Sequence, residues 1–152
     1  MISPELLRRY PFFGGLSEEQ LKRIAMISEE INLEKDEFLF KEGEAAEAIY
    51  VIVDGGVDVL INIDAEGAAQ EELSSLSAGE VLAWSAIVPP HTLTASAVAN
   101  TPTRVVAVNA EAMRNLFEQD CELGYRILSR LVVVLRERLA STRTQLASLM
   151  AC

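Results

Sequence analysis

The chain has 152 residues, 13 Lys and Arg against 23 Asp and Glu, a formal charge of −10 and 50% hydrophobic residues. That composition excludes extended disorder. The acidity argues against a general affinity for nucleic acid or anionic lipid, both of which need a surplus of Lys and Arg. The length suits one domain able to bury its own core.

The first residues, Met1-Ile2-Ser3-Pro4-Glu5, lack the apolar run of a signal peptide. The longest aliphatic run, Leu131-Val132-Val133-Val134-Leu135, falls far short of the roughly 20 residues a membrane span needs. A soluble, cytoplasmic protein is expected, with no membrane and no nucleic-acid partner. Cys121 and Cys152 form neither a disulfide framework nor a metal cluster, so free thiols in a reducing compartment are expected.

Pro11-Phe12-Phe13-Gly14-Gly15 reads as a compact apolar turn that plugs one end of a core. Ser17 followed by Gln20 is a capping-box pattern, and Leu21, Ile24 and Ala25 then share one helical face. From Ile31 to Val108 the period becomes two. Strands are expected at Ile31–Leu33, Phe38–Phe40, Ile49–Val53 and Val57–Ile63, and later at Thr92–Ala99 and Arg104–Val108. Asp54-Gly55-Gly56 between two β-branched runs is a hairpin signal. A further turn is expected at Asp64-Ala65-Glu66-Gly67, and another at Asn100-Thr101-Pro102-Thr103. Short strands at regular spacing predict a closed or rolled antiparallel sheet.

The last third reads as helical. Asn109 caps a short helix through Phe117, and a long helix runs from about Glu122 to Leu149. The chain thus divides into a β-roll unit over residues 1–118 and a long helix over 119–152. Tyr125, Leu128, Val132, Leu135, Leu139, Thr142, Leu146 and Leu149 recur at spacings of three and four, a heptad seam. Ile127, Leu131 and Val134 widen the apolar face in the first half only. The first half can therefore touch both its own roll and a partner, whereas the second half needs a partner. A homodimer through this helix is expected.

Catalysis is not expected, since the chain has no nucleophile elbow, metal-ligand spacing or P-loop. The acidic pairs Glu18-Glu19, Glu29-Glu30 and Glu71-Glu72 point apart within each pair and read as solvated surface. Cys121, where the long helix begins, is either a small packed hydrophobe or a thiol activated by a helix N-terminus.

The order of helix, β-roll and long C-terminal helix resembles the cyclic nucleotide-binding domain, an α+β fold built on an antiparallel, jelly-roll-like β-roll. Phe12-Phe13-Gly14-Gly15-Leu16-Ser17, Phe40-Lys41-Glu42-Gly43-Glu44, Tyr50-Val51-Ile52-Val53-Asp54-Gly55 and Ala78-Gly79-Glu80-Val81-Leu82 carry the resemblance, in order and over nearly the whole chain. The resemblance implies a regulatory module with a phosphate-binding cassette reading roughly F-G-E-x-A-L, followed by R-(S/T/A)-A-T-V. In the family the Glu binds the ribose 2′-hydroxyl, the Arg neutralises the cyclic phosphate and a short helix presents backbone N–H groups.

Aligned on Gly79 and Glu80, the cassette glycine falls on Ala83 and the glutamate on Trp84, followed by Ser85 and Ala86. The arginine falls on Leu93, followed by Thr94 and Ala95. Both charged anchors are replaced. A hydrogen bond to a charged group contributes about 1.5–3 kcal/mol, so losing two weakens binding by roughly 10²- to 10⁴-fold. Ala also accepts positive φ less readily than Gly. Tight cyclic-nucleotide binding is therefore not expected, and no cofactor is implied with certainty. Trp84 either fills a closed pocket or lines a reshaped apolar one. His91 is either an exposed loop residue or an anion contact.

Three functions follow from the resemblance: a sensor of a small ligand other than a cyclic nucleotide, a ligand-free dimerisation or adaptor module, and a weak receptor for cyclic AMP or GMP. The first two act on a protein partner that the sequence does not identify. The chain ends three residues after Leu149, so the DNA-binding helix-turn-helix found in part of the family is not expected. The acidity belongs to the roll, because residues 1–119 hold 8 basic and 20 acidic groups (−12) and residues 120–152 hold 5 and 3 (+2).

Overall fold

The computed structural model describes residues 1–65 and 69–151. Helix α1 (Pro4–Arg8) leads through a 3-10 turn (Pro11–Phe13) to α2 (Glu18–Met26). The capping box is formed in full: Ser17 Oγ accepts from the Gln20 N–H at 3.2 Å, and Gln20 Oε1 accepts from the Ser17 N–H at 2.9 Å. Phe12 and Phe13 meet edge-on with centroids 5.2 Å apart, both buried, so the apolar turn is the expected plug.

The strands are β1 (Ser28–Leu33), β2 (Phe38–Phe40), β3 (Ala48–Asp54), β4 (Gly56–Asn62), β5 (Gln70–Ser77), β6 (Val81–Leu82), β7 (Ser96–Ala99) and β8 (Thr103–Asn109). They form two four-stranded antiparallel sheets, β1-β8-β3-β6 and β2-β7-β4-β5. This is the α+β antiparallel roll the sequence implies.

The hairpin expected at Asp54-Gly55-Gly56 is not one. β3 and β4 lie in different sheets, because β3 pairs with β8 and β6 while β4 pairs with β5 and β7. The turn is a corner that hands the chain from one sheet to the other. Gly55 has φ +98°, and a Cβ there would lie 2.5 Å from Thr103 Oγ1 and 2.6 Å from the Pro102 carbonyl. Those atoms belong to the second corner, residues 100–103, between β7 and β8, which also occupy opposite sheets. β7 begins only at Ser96; Thr92 makes an isolated bridge to Ala45. The expected turn at Asp64 falls partly outside the described residues, at Glu66 and Gly67. β5 has no apolar alternation to reveal it, since it lies at a sheet edge with Leu76 as its single buried residue.

Helices α3 (Ala110–Gln119) and α4 (Cys121–Met150) follow. Asn109 caps α3 by accepting from the Ala112 N–H at 2.9 Å. Asp120 caps α4 in the same way through Leu123, at 3.1 Å. Cys121 is exposed, which removes the packed-hydrophobe alternative; Cys152 lies outside the described residues. Glu18, Glu19, Glu29, Glu30, Glu71 and Glu72 are all exposed, as expected of solvated acids.

Two apolar clusters hold the fold. One joins Leu7, Phe13, Ile24, Ile49, Val106 and Met113 to Leu123, Ile127 and Leu131 of α4. The other gathers Ile52, Val57, Leu76, Leu82, Ala97 and Val105, residues drawn from both sheets. Val134, Leu135 and Arg138 are still half-buried, and from Leu139 onward the helix leaves the core. Along its seam Tyr125 is 73% exposed, Val132 64%, Leu139 52% and Leu149 74%. Leu128, Thr142 and Leu146 are exposed too, whereas Leu135 is half-buried against the protein's own core.

Candidate functional site

The candidate site forms where β6 leaves β3. Tyr50 opposes Leu82 and Val51 opposes Val81. Ahead of β6, Gly79 donates to the Ile52 carbonyl at 2.8 Å, and Ile52 donates back to the Glu80 carbonyl at 3.0 Å. After β6, Ala83 adopts φ +65°, ψ +44°, and the chain enters a 3-10 turn over Trp84–Ala86. The left-handed bend is thus kept without glycine, at roughly 1–2 kcal/mol.

Ala83, Trp84, Ser85, Leu93, Thr94 and Ala95 line one cavity of about 50 Å³. The other three sequence-predicted residues stand outside it. Gly79 faces open space. The Glu80 carboxylate turns back to accept from the Ser77 N–H at 2.6 Å. Ala86 is fully buried in the core, and its carbonyl accepts from Arg114 Nη1 at 2.7 Å.

Phe40, Val59, Leu82 and Arg138 complete the lining and were not foreseen. Arg138 comes from α4 and donates to the Val81 carbonyl. Burial pulls its pKa below the ordinary arginine value, and the Glu80 carboxylate opposes that shift. A guanidinium starts high enough to remain cationic regardless. The helical spacing carries a signal for it. Arg138 continues the inward face of Ile127, Leu131 and Val134 at intervals of four, three and four, a place where a buried residue is due.

The turn is held from outside by three polar contacts. Arg138 takes the Val81 carbonyl in β6, three residues ahead of Trp84, and Arg114 takes the Ala86 carbonyl at the turn's end. His91 Nδ1 lies 3.1 Å from the Ser85 carbonyl. A carbonyl can only accept, so that nitrogen carries the proton. His91 is therefore half-buried and engaged, not a free loop residue. Within the turn, Ala86 donates to the Ala83 carbonyl and Ile87 to that of Trp84, both at 3.0 Å. Those two N–H groups are committed internally and are not offered to an anion.

A second, larger cavity of about 370 Å³ shares Phe40 and Leu93 with the first and is also lined by Glu44, Glu47 and Tyr50. Phe40 and Tyr50 stack with centroids 5.7 Å apart. Burial raises the Tyr50 hydroxyl pKa, and Glu47 adds to the shift. Among the described residues no His, Cys, Asp and Glu group could hold a metal, and no helix is long and apolar enough to cross a membrane.

A family model for the cyclic nucleotide-binding domain matches residues 30–120. The structure is similar to that of a candidate cyclic nucleotide-binding protein of Geobacter metallireducens GS-15, at TM-score 0.82 and 34% identity, covering 91% of this chain and 99% of that one. In sequence it is 25% identical, over 95% of its length, to a CRP-like cAMP-activated global transcriptional regulator of Mycobacterium tuberculosis, of which it covers 62%. It is 26% identical, over 80% of its length, to cGMP-dependent protein kinase isozyme 1 of Drosophila melanogaster, of which it covers 16%. The chain thus spans less than two thirds of these curated relatives.

Proposed function

The chain belongs to the cyclic nucleotide-binding domain family, and from that premise we propose that it is a non-enzymatic, cytoplasmic regulatory module. It senses a small ligand other than a cyclic nucleotide and signals through a homodimer. The observation that carries this reading is the separation of charge from room. The cavity with a cation measures about 50 Å³, well below the several hundred Å³ of ordinary ligand pockets. The cavity with room, about 370 Å³, is lined by Glu44 and Glu47, which repel a cyclic phosphate. Trp84 and Leu93, standing where the family places its Glu and Arg, narrow the first cavity further.

The route from site to helix is short. Arg114 of α3 holds the Ala86 carbonyl at the end of the Trp84–Ala86 turn, and Arg138 of α4 holds the Val81 carbonyl of the strand that leads into it. A ligand that favours one position of that turn therefore favours one position of the helices, which differential affinity alone can achieve. The exposed seam of α4 is suited to a second copy of the same helix, and a protein partner reads the change.

Mass spectrometry of the purified protein after denaturation tests the sensor reading: a stoichiometric small molecule is expected. A ligand-free dimer favours a plain adaptor. Thermal titration with cyclic AMP and cyclic GMP tests the exclusion. A binder at a hundredfold excess over Kd stabilises by about 2.7 kcal/mol, and no shift is expected at millimolar nucleotide.

A further inference from the structure

We propose that Arg138 makes the small cavity a site for a compact carboxylate with a short apolar body. The proposal rests on the sensor reading of this pocket and names its ligand class. The stretch from Leu82 to Ala99 contains no Asp, Glu, Lys or Arg, so any charge in the cavity must come from elsewhere in the fold. Arg138 provides it, from α4. Its guanidinium has five N–H donors, and Val81 engages it through one nitrogen. The same group can hold the carbonyl and still meet a carboxylate edge, the planar geometry for which arginine is suited.

The rest of the lining sets the remainder of the ligand. Phe40, Val59, Leu82 and Leu93 are apolar, Ser85 and Thr94 carry hydroxyls, and Trp84 forms a wall. About 50 Å³ of accessible space corresponds to roughly three to four waters. A short-chain monocarboxylate matches that room: its head on Arg138, its tail among the apolar side chains. A nucleotide does not. Glu80 faces Arg138 electrostatically, but its carboxylate is engaged at Ser77 and leaves the cavity to the ligand.

Trp84 is the single tryptophan of the chain, so its emission reports on the cavity directly. The full chain is titrated with butyrate, neutral butyramide and inorganic phosphate, following emission and melting. Butyrate is expected to give a saturable change with a Kd near or below about 1 mM, where affinity amounts to about −4 kcal/mol. Butyramide should be silent and phosphate at least about tenfold weaker. Arg138→Gln should weaken butyrate about ten- to hundredfold, and Arg138→Lys should recover part of the loss. The proposal is overturned if butyrate is silent at about 10 mM, if butyramide binds equally, if phosphate binds more tightly, or if Arg138→Gln binds butyrate undiminished. Should Arg138→Gln fail to melt cooperatively, the butyrate and butyramide pair on the unaltered chain decides. A stoichiometric ligand that co-purifies but carries no carboxylate would overturn this assignment and leave the sensor reading standing.

Discussion

Asp120 joins three parts of the chain through one carboxylate. Oδ1 accepts from the Leu123 N–H and caps α4; Oδ2 accepts from Gln20 Nε2 of α2 at 3.1 Å and lies 3.7 Å from Arg23. The Leu123 N–H, then the Gln20 side chain, holds its pKa below the ordinary 3.8. A depressed folded-state pKa contributes stability that is present above the unfolded value and lost as pH falls through the folded one. Asp120→Ala should therefore lower the urea midpoint at pH 7, and the gap to the unaltered protein should narrow as pH drops below 3.8. An equal gap at pH 7 and pH 3 would show that the carboxylate's charge contributes nothing. A second residue-scale contrast lies in the glycines. Gly43, at φ +90°, has nothing near a would-be Cβ, while Gly55, at φ +98°, faces the second corner. Gly43→Ala should cost only the left-handed strain of about 1–2 kcal/mol. Gly55→Ala adds contact with the Pro102 carbonyl and should exceed it by about 1 kcal/mol or more in urea unfolding.

At the scale of elements, α4 presents two faces to two environments. Leu123, Ile127 and Leu131 are buried in the roll's own core, whereas Val132 and Leu139 are exposed. The expected homodimer is tested on the outer face alone: Val132→Asp with Leu139→Asp should give monomers in analytical ultracentrifugation while melting stays cooperative. Leu135 is unsuited to this test, because it packs against its own core and its replacement would confuse folding with association. A dimer that survives both substitutions would refute the interface. The two faces were legible in the sequence because helical spacing is local information. The pairing of strands was not. Asp54-Gly55-Gly56 has the composition of a hairpin, but the corner geometry depends on Thr103 and Pro102 of a distant segment. Arg138 escaped for the same reason. The cassette residues align by position, while the cation that faces them arrives on another helix.

Across the whole molecule, the roll is acidic and the helix is weakly basic, so the cavity's cation sits where those two regions meet. This arrangement makes α4 both the carrier of the site's charge and an element whose far end lies outside the core. Every residue from 139 to 150 is exposed. Gln145 Nε2 donates to the Leu73 carbonyl at 3.3 Å, an exposed bond of modest strength. These residues extend a helix already nucleated by its packed first half, but propagation without tertiary packing is only weakly favourable, so their order is marginal. Their order in solution should then come from the partner helix. Amide exchange separates the two sources of order. Residues 140–150 should be protected in the dimer and exchange at least about tenfold faster in the Val132→Asp, Leu139→Asp monomer. Residues 123–131, held by the roll, should be unchanged between the two. Equal protection of 140–150 in the monomer would mean that the roll alone orders the whole helix, and the heptad seam would then have no structural task in this chain.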